Sequence, residues 1–596
     1  MNYHFNNQIT NPEIIVADKV NFFADFFDYT LSNLGKPTFP SLENHRSLLE
    51  KIKFQLENYS SHSEKYLHHY FKNKYLNSND LIIKEFYSIQ LRDINLHKNF
   101  KDPNIRIILL NSITTFISIL DGTLFKNSLS KIIECIATIR PLRKDIINRF
   151  KYFTPIIISE FIFAGFPQKD LEKLFDRILS TKFEIKNNKV RTEIPLPESL
   201  LKLKYDKIEN PEVFYDKLSS YLKNRTLQQQ FEGIYYLFKN SVKEKTFIFS
   251  LTNIKAHCPI SSEFGIVKFS NQLRKETRIK RGTNKEYRTF YNGKGKLFAQ
   301  LTLSENNDNV GKENAIRHIN NALNYFNATL EKKARLDQDD FIVIDIDQNI
   351  RHKSVLIPIN DDEIKKLADD SVYETLKNSN DKLVKKFYDL DKIYFHALNS
   401  DFKEYKIVNY WRFLESFFES ENYTSKKVFN SISTILSIHC LPNFVYSFFS
   451  LAFRVLHHSY IKSPVLNSLG INNILNISNE ELNSLMNPQY LGDINFKRLN
   501  EVINHPYVNE RLSWFMSNDD QQKENYLKDF YNQILFETYE QRNFIEHSGI
   551  FMEKSIDRVL LSLPRIVKDF RSLIIFELEK GGYHNYNEIL NKLSHK

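Results

Sequence analysis

The chain has 596 residues and a mass of 70.8 kDa, which at roughly 100–200 residues per domain predicts about three or four domains. Its 82 Lys and Arg against 72 Asp and Glu give a formal net charge of +10, which favours anionic partners, with nucleic acid first among them. There are only 14 glycines and no phosphate-binding motif of the GxxxxGK[ST] or GxGxxG type. The sequence therefore argues against an ATPase, a GTPase and a nicotinamide-dependent dehydrogenase.

Cysteine content and apolar runs predict a cytoplasmic protein without cofactor or metal. The 3 cysteines are far apart and form no CxxC pair, which excludes a disulfide framework and a cysteine-rich zinc site. The amino-terminal residues lack the basic and apolar regions of a signal peptide. The most apolar stretch, 429–456, contains His439, Asn443 and Arg454 and is interrupted by Pro442. We therefore expect buried helices there and no membrane partner.

The chain begins with a predicted helical domain over residues 1–190. Within it, segments 111–120 and 131–150 carry apolar residues at spacings of three and four, and we expect helices up to about residue 185. Pro195 and Pro197 stand in a polar segment and predict a connector, because paired prolines disfavour helix on both sides.

Residues 191–360 are predicted to form an α+β middle domain. Its strand candidates are short runs rich in β-branched and aromatic residues, at 246–251, 265–269, 296–303, 341–346 and 355–359. One amphipathic helix is expected at about 311–331. Residues 361–596 are predicted to be helical again, beginning with a helix capped by Asp361 and Asp362. The predicted fold class is thus mainly α with a central α+β section.

The last helical section contains the candidate catalytic motif. Arg542 is followed directly by Asn543 and, after four intervening residues, by His547; Tyr539 precedes the Arg by three residues and Gly549 follows the His. An Arg and a His at this separation readily occur by chance, and Arg92 and His97 are an example in this sequence that lacks the flanking residues. The longer context, at the end of an amphipathic helix, makes the motif specific.

This motif resembles the active site of HEPN-domain ribonucleases, most closely the Apea-like HEPN group. Segment 409–418, which contains Trp411 and Glu415, resembles the aromatic and acidic opening helix of that domain. The resemblance covers roughly residues 400–585 and implies a C-terminal HEPN-type helical bundle. It also implies a homodimer or higher homo-oligomer, with two motifs lining one cleft, and an anti-phage (abortive infection) or toxin role with a phage-derived or partner-protein trigger.

The residue types suit metal-independent RNA cleavage to 2′,3′-cyclic phosphate ends. Histidine is a side chain suited to moving a proton in such a reaction, which fits His547, and the fork of Arg542 suits a phosphate that gains charge. Asn543 would orient a phosphate oxygen or the His, with Tyr539, Glu546 and Glu415 in support.

Helix geometry and simpler roles leave alternatives open. Five residues turn a helix through about 500°, so Arg542 and His547 point about 140° apart, and a helix break near Ser548 or a second copy would be needed to join them. Arg542 and Glu546 are also spaced as a surface ion pair. The alternative function is a non-catalytic nucleic-acid-binding or dimerisation scaffold that uses a silent HEPN bundle.

A second candidate is a basic segment at 274–296 that could grip the phosphates of RNA as a β-ribbon. It has three interleaved aromatic residues and an Asn-Gly hairpin signal; its alternative is a solvated hairpin. The predicted nucleic-acid-binding residues are Arg274, Lys275, Arg278, Lys280, Arg281, Lys285, Arg288, Lys294 and Lys296.

The remaining clusters are expected to be structural. Asp345 and Asp347 alternate along a predicted strand, as metal-binding carboxylates can, but no paired Asp-Asp motif follows downstream. Three His-containing groups are also expected to be structural, two because they are adjacent pairs without the spacing of metal ligands and one because it lies beside an apolar helix. Those groups are His257-Cys258, His439-Cys440 and the set Arg454, His457 and His458.

Overall fold

The computed structural model describes the chain with four larger gaps, at residues 193–225, 272–289, 355–381 and 445–513, and with shorter gaps elsewhere, among them 6–13, 37–42, 96–99 and 549–551. The described residues form two compact units. The helical unit comprises residues 9–160 and 370–596, and the sheet unit comprises residues 1–8 and 161–369. This division differs from the three consecutive domains predicted, because the first and last helical segments pack into a single unit.

The helices of the first half are α1 (Ile14–Ser32), α2 (His45–Glu57), α3 (Ser63–Phe71), α4 (Ser88–Asn95), α5 (Pro103–Ala137), α6 (Lys144–Phe163), α7 (Gln168–Leu171) and α8 (Leu227–Lys239). A 3-10 turn (Lys74–Leu76) and a π turn (Ile83–Tyr87) join α3 to α4. The later helices are α9 (Asp308–Leu330), α10 (Lys382–Asn399), α11 (Lys403–Glu415), α12 (Ser425–His439), α13 (Asp520–Ser548), α14 (Glu553–Lys580) and α15 (Tyr586–Leu593).

Sequence capping explains where several helices of the helical unit begin. Asn44 accepts a hydrogen bond from the Ser47 amide at 2.9 Å, and the Ser47 hydroxyl accepts one from the Asn44 amide, which closes a capping box before α2. Asp102 caps α5, with Pro103 in the first turn. Inside the unit, α13 packs against α11, α12 and α14, and α2 packs against α5 and α14.

Helix α5 is the described helix that is long and apolar enough to cross a membrane by length and composition alone. Its Leu109, Ile113, Phe116 and Leu120 are buried within the unit, whereas Ile107 is 58% exposed. The apolar stretch 429–456 is only partly described, and its first part forms α12 as expected.

The strands of the sheet unit are β1 (Asn2–Phe5), β2 (Thr181–Lys186), β3 (Lys189–Thr192), β4 (Lys243–Lys255), β5 (Ser261–Phe264), β6 (Val267–Ser270), β7 (Lys296–Glu305), β8 (Arg335–Asp345) and β9 (Ile350–Ser354). They form an antiparallel sheet β1-β2-β3 and an antiparallel six-stranded sheet β5-β6-β7-β4-β8-β9.

Helix α9 covers one face of the six-stranded sheet. Phe247, Phe249 and Leu301 point into the core that α9 closes with Ile319. Gly311 of α9 lies so close to Phe247 that a Cβ would stand 2.2 Å from the ring. Four predicted strands are found as β4, β6, β7 and β8, and the predicted helix is found as α9; the strand predicted at 355–359 lies outside the described residues.

The mainly α fold with an α+β section is confirmed, but the expectation of helices alone over residues 1 to about 185 is wrong at both ends. Asn2–Phe5 and Thr181–Lys186 pair as antiparallel strands, with Tyr3 opposite Phe183. This pairing joins residues near the start and the end of the segment 1–185, so no local periodicity in the sequence indicates it.

Candidate active site at the end of helix α13

Helix α13 carries the predicted motif in its last two turns. It begins after a reciprocal cap, in which Asp519 accepts from the Gln522 amide at 2.7 Å and Gln522 accepts from the Asp519 amide at 2.9 Å. The helix then continues unbroken through Arg542 and His547 and ends at Ser548. Because no break separates Arg542 from His547, the two side chains leave a regular helix about 140° apart. Gly549 lies outside the described residues.

Arg542 is held by two carboxylates and one amide. Its Nε lies 2.7 Å from Glu546 Oε2, and its Nη2 lies 3.7 Å from Glu415 Oε2. Its Nη1 donates to Asn543 Oδ1 at 3.0 Å. The Arg542 side chain is 20% exposed, so its guanidinium is within reach of solvent.

A second arginine, which sequence reasoning missed, completes this group. Arg412 of α11 donates to Glu546 Oε1 from Nε at 3.2 Å and from Nη2 at 3.0 Å. Glu546 thus bridges two guanidinium groups, one on each oxygen. The available signal was the position of Arg412 between Trp411 and Glu415, inside the segment already compared with the HEPN opening helix.

Packing of α11 against α13 brings these residues together. Tyr410, Trp411, Phe413 and Leu414 are buried, and the Trp411 ring lies 5.3 Å from the Tyr539 ring. The polar side chains of Arg412 and Glu415, on the other face of α11, therefore point outward beside the end of α13. We call Arg412, Glu415, Arg542 and Glu546 the surface cluster.

Asn543 and His547 occupy different surroundings. Asn543 is half-buried and hydrogen-bonds the Tyr66 hydroxyl of α3 in addition to Arg542. Burial raises the pKa of Tyr66, so its hydroxyl stays protonated. His547 is exposed in the final turn of α13. The structure therefore groups Arg542 and Asn543 with Glu546 and Glu415, and it leaves His547 outside that group.

A second set of charges lies in the interior of the helical unit and includes Glu537 of α13. Arg558 contacts Glu43 at 3.0 Å and also pairs with Glu537, while Lys51 lies 2.8 Å from Glu43 and 3.5 Å from Glu537. Burial works against ionisation of Glu43, but Lys51 and Arg558 together hold its pKa well below the usual range. We call Glu43, Lys51, Glu537 and Arg558, with the neighbouring Glu540, the buried cluster.

Glu540 is the unusual member of the buried cluster. Its two carboxylate oxygens accept hydrogen bonds from Gln55 at 2.6 Å and from the Tyr70 hydroxyl. Burial raises the pKa of Glu540 to about 7, with Glu537 adding to the effect and Lys51 opposing it.

Most of the predicted basic segment lies outside the described residues; among its nine candidate basic residues, the structure describes Lys296. Lys296 begins β7, donates to the Phe290 carbonyl at 2.9 Å and lies over the Phe290 and Phe298 rings, at 5.0 Å and 5.5 Å from their centroids. These contacts anchor Lys296 on the sheet.

Several residues expected to be structural are described. His439 Nε2 lies 3.0 Å from the Leu593 carbonyl, and Cys440 is buried. Asp345 ends β8, whereas Asp347 is outside the described residues, as are His257-Cys258 and the Arg454 group. Within the described part of the chain, no group of three or more His, Cys, Asp and Glu is placed to hold a metal ion.

No protein-family model matches the chain, and no curated protein or solved structure shows significant similarity to it.

Proposed function

We propose that the protein is a metal-independent endoribonuclease of HEPN type that cleaves RNA to 2′,3′-cyclic phosphate ends. The observation that carries the proposal is the pair of arginines, Arg412 and Arg542, that Glu546 holds at the accessible end of α13. His547 lies in the same final helical turns and is exposed. The resemblance of the motif to HEPN ribonucleases supports the same reading.

The chemistry divides between the two kinds of side chain. Two guanidinium groups can bind the non-bridging oxygens of a phosphodiester and stabilise the charge that develops on it. Glu546 and Glu415 keep Arg542 from swinging into solvent, and Asn543 supplies an oxygen that orients one of its nitrogens. His547 would transfer the proton of the 2′-hydroxyl or of the leaving oxygen.

A homodimer, or a higher homo-oligomer, fits this division. Arg542 and His547 leave an unbroken helix in different directions, so the His that serves one arginine pair would come from a second copy of the chain. The proposed setting is the cytoplasm, in an anti-phage or toxin role, with a phage-derived or partner protein as trigger. RNA would also contact the basic segment 274–296.

One observation favours the alternative, a non-catalytic nucleic-acid-binding or dimerisation scaffold. Arg542 lies within ion-pair distance of Glu546 and Glu415, which offset its charge in the isolated chain. An RNA phosphate would have to compete with both carboxylates for Arg542. A bundle that serves only for assembly would not have to bind a phosphate there.

The test compares three alanine variants with the wild-type protein. Arg542→Ala and His547→Ala should each abolish the toxicity of expression and the appearance of new cyclic-phosphate RNA ends. Arg92→Ala is the matched control, because Arg92 has the same spacing to a downstream His and its side chain is 72% exposed. If both motif variants cleave RNA like the control, the scaffold reading replaces the catalytic one.

Metal dependence provides an independent check. Purified protein should cleave RNA as well in EDTA as in Mg²⁺, since Arg and His supply the charge and the proton transfer. Loss of cleavage on chelation would assign the chemistry to a metal-dependent site elsewhere.

A further inference from the structure

A cleft of about 710 Å³ lies in the helical unit, separate from the surface cluster. It is lined by Glu43, which precedes α2, and by residues from α3 and the turn after it, from α12 and from the middle of α13. Gln533, at its edge, precedes Arg542 by nine residues, which is about 13 Å along the helix axis. The cleft is therefore a second site on the same helix. Its size is within the usual range of about 300–1,000 Å³ for small-molecule pockets.

One wall of the cleft is aromatic. The Phe536 ring lies 5.5 Å from the His69 ring and 6.3 Å from the Phe429 ring, which meets it edge-on. All three rings line the cleft, and His69 is exposed. Flat rings at an open wall are the surface on which an unstacked base is held in single-stranded nucleic-acid sites.

Side-chain amides supply a polar part of the cleft lining. Asn430, Asn532 and Gln533 line the cleft, and the Ser433 hydroxyl donates to Asn532 Oδ1 at 2.7 Å, which fixes that amide. Gln533 Nε2 donates to Glu537 Oε1 at 3.4 Å. An amide carries two N–H donors and an oxygen with two lone pairs, so each of these side chains keeps a donor and an acceptor, the combination that reads the hydrogen-bonding edge of a base.

The charge of the cleft is set at its rim. Glu43 and Glu537 line its inner part, but Lys51 and Arg558 pair with both carboxylates and balance their charge. Lys72 lies at the rim and is exposed, so it adds positive charge that the inner residues do not offset. A ligand that carries both an aromatic ring and an anionic group would therefore bind with the anionic group beside Lys72.

We propose that this cleft binds a single unstacked ribonucleotide, with its base against Phe536 and His69, its base edge on the amides and its phosphate beside Lys72. The ligand is either a free mononucleotide or one nucleotide of a bound RNA strand, because both present the same base and phosphate. The inference does not depend on the catalytic proposal, since its readout is binding.

The experiment measures binding of the four ribonucleoside 5′-monophosphates and of a single-stranded oligoribonucleotide to the full-length protein by calorimetry. Lys72→Glu should weaken binding at least about tenfold, because it replaces the cation at the phosphate by an anion. Gln533→Ala, at an exposed position, should weaken it about fivefold by removing a base contact.

Lys74→Glu is the matched control, because it makes the same charge change two residues from Lys72. The Lys74 Nζ lies over the Tyr75 ring, and Lys74 does not line the cleft. It should bind like wild type. Arg542→Ala should also retain binding of the mononucleotides even if it abolishes RNA cleavage, which separates this inference from the proposed function.

The two ligand sources give different patterns. If wild type binds a monophosphate and Lys72→Glu weakens that binding, the cleft is assigned to a free nucleotide. If wild type binds only the oligonucleotide, and Lys72→Glu weakens that binding, the cleft is assigned to one nucleotide of an RNA strand. The inference is overturned if wild type binds neither ligand, or if Lys72→Glu and Gln533→Ala both bind as tightly as Lys74→Glu.

Discussion

Helix α13 contributes residues to two clusters of charged side chains that differ mainly in burial. In the buried cluster, the side chains of Glu43 and Arg558 are each 6% exposed. In the surface cluster, the side chain of Arg412 is 57% exposed and that of Glu415 is 40% exposed. Basic and acidic side chains therefore meet beside one helix at two places, in the interior of the unit and at the water-facing end of the helix.

The difference separates structural charge from available charge. A buried ion that loses its partner keeps the full cost of its desolvation, so the buried cluster is locked to the fold. An exposed ion pair gains little free energy and exchanges partners with solvent easily. The surface cluster can therefore release an arginine to a phosphate, whereas the buried cluster cannot.

The largest expected effect is the loss of Arg558. Arg558→Ala removes the cation between Glu43 and Glu537 and should lower the free energy of unfolding by about 3–5 kcal/mol. Denaturant unfolding followed by tryptophan fluorescence measures it, because both tryptophans, Trp411 and Trp514, belong to the helical unit. A loss below about 1 kcal/mol would show that the buried cluster behaves like a surface one.

The second effect is a pH dependence centred on Glu540. Its pKa is raised from the ordinary 4.5 to about 7, so the folded protein holds a proton that the unfolded chain has released. This contribution to stability is complete below about pH 4.5 and is lost as pH rises through about 7. The loss should be on the order of 3 kcal/mol.

Glu540→Gln isolates that contribution, because Gln mimics the protonated acid beside Tyr70 and Gln55 and does not titrate. The variant should lack the decline in tryptophan-monitored stability that we expect for wild type between about pH 4.5 and pH 7. Glu415→Gln, in the surface cluster, is the matched control and should decline like wild type. Parallel profiles for wild type and Glu540→Gln would refute the assignment.

The smallest stability effect is expected at Arg412. Arg412→Ala breaks an exposed pair with Glu546 and should change the free energy of unfolding by less than about 1 kcal/mol. If the arginine pair binds the scissile phosphate, the same variant should lower kcat/KM for RNA by at least about tenfold, or about 1.4 kcal/mol of transition-state binding.

Arg412→Lys tests whether charge alone suffices, because Lys cannot make the bidentate contact and should recover only part of the activity. Unchanged cleavage in Arg412→Ala would remove Arg412 from the site and leave Arg542 as the sole phosphate ligand of the surface cluster.

The sequence by itself determined the class of fold and the location of the motif. Apolar spacings of three and four predicted helix within α5, α6 and α9, although the predicted segment 131–150 is divided between α5, which ends at Ala137, and α6, which begins at Lys144. β-Branched runs predicted β4, β6, β7 and β8, and the position of Arg542 at the end of a helix followed from the amphipathic pattern before it. These are local signals, and short segments of sequence suffice to carry them.

Only the tertiary structure decided which distant residues share a site. Arg412 joins Glu546 across 134 positions, and Gln55 reaches Glu540 across 485, so neither contact has a periodicity that reveals it. The pairing of β1 with β2 and the joining of the two helical segments into one unit are long-range in the same way. Burial then gave similar charges opposite roles, because the local dielectric is a property of the packed molecule and not of the residue type.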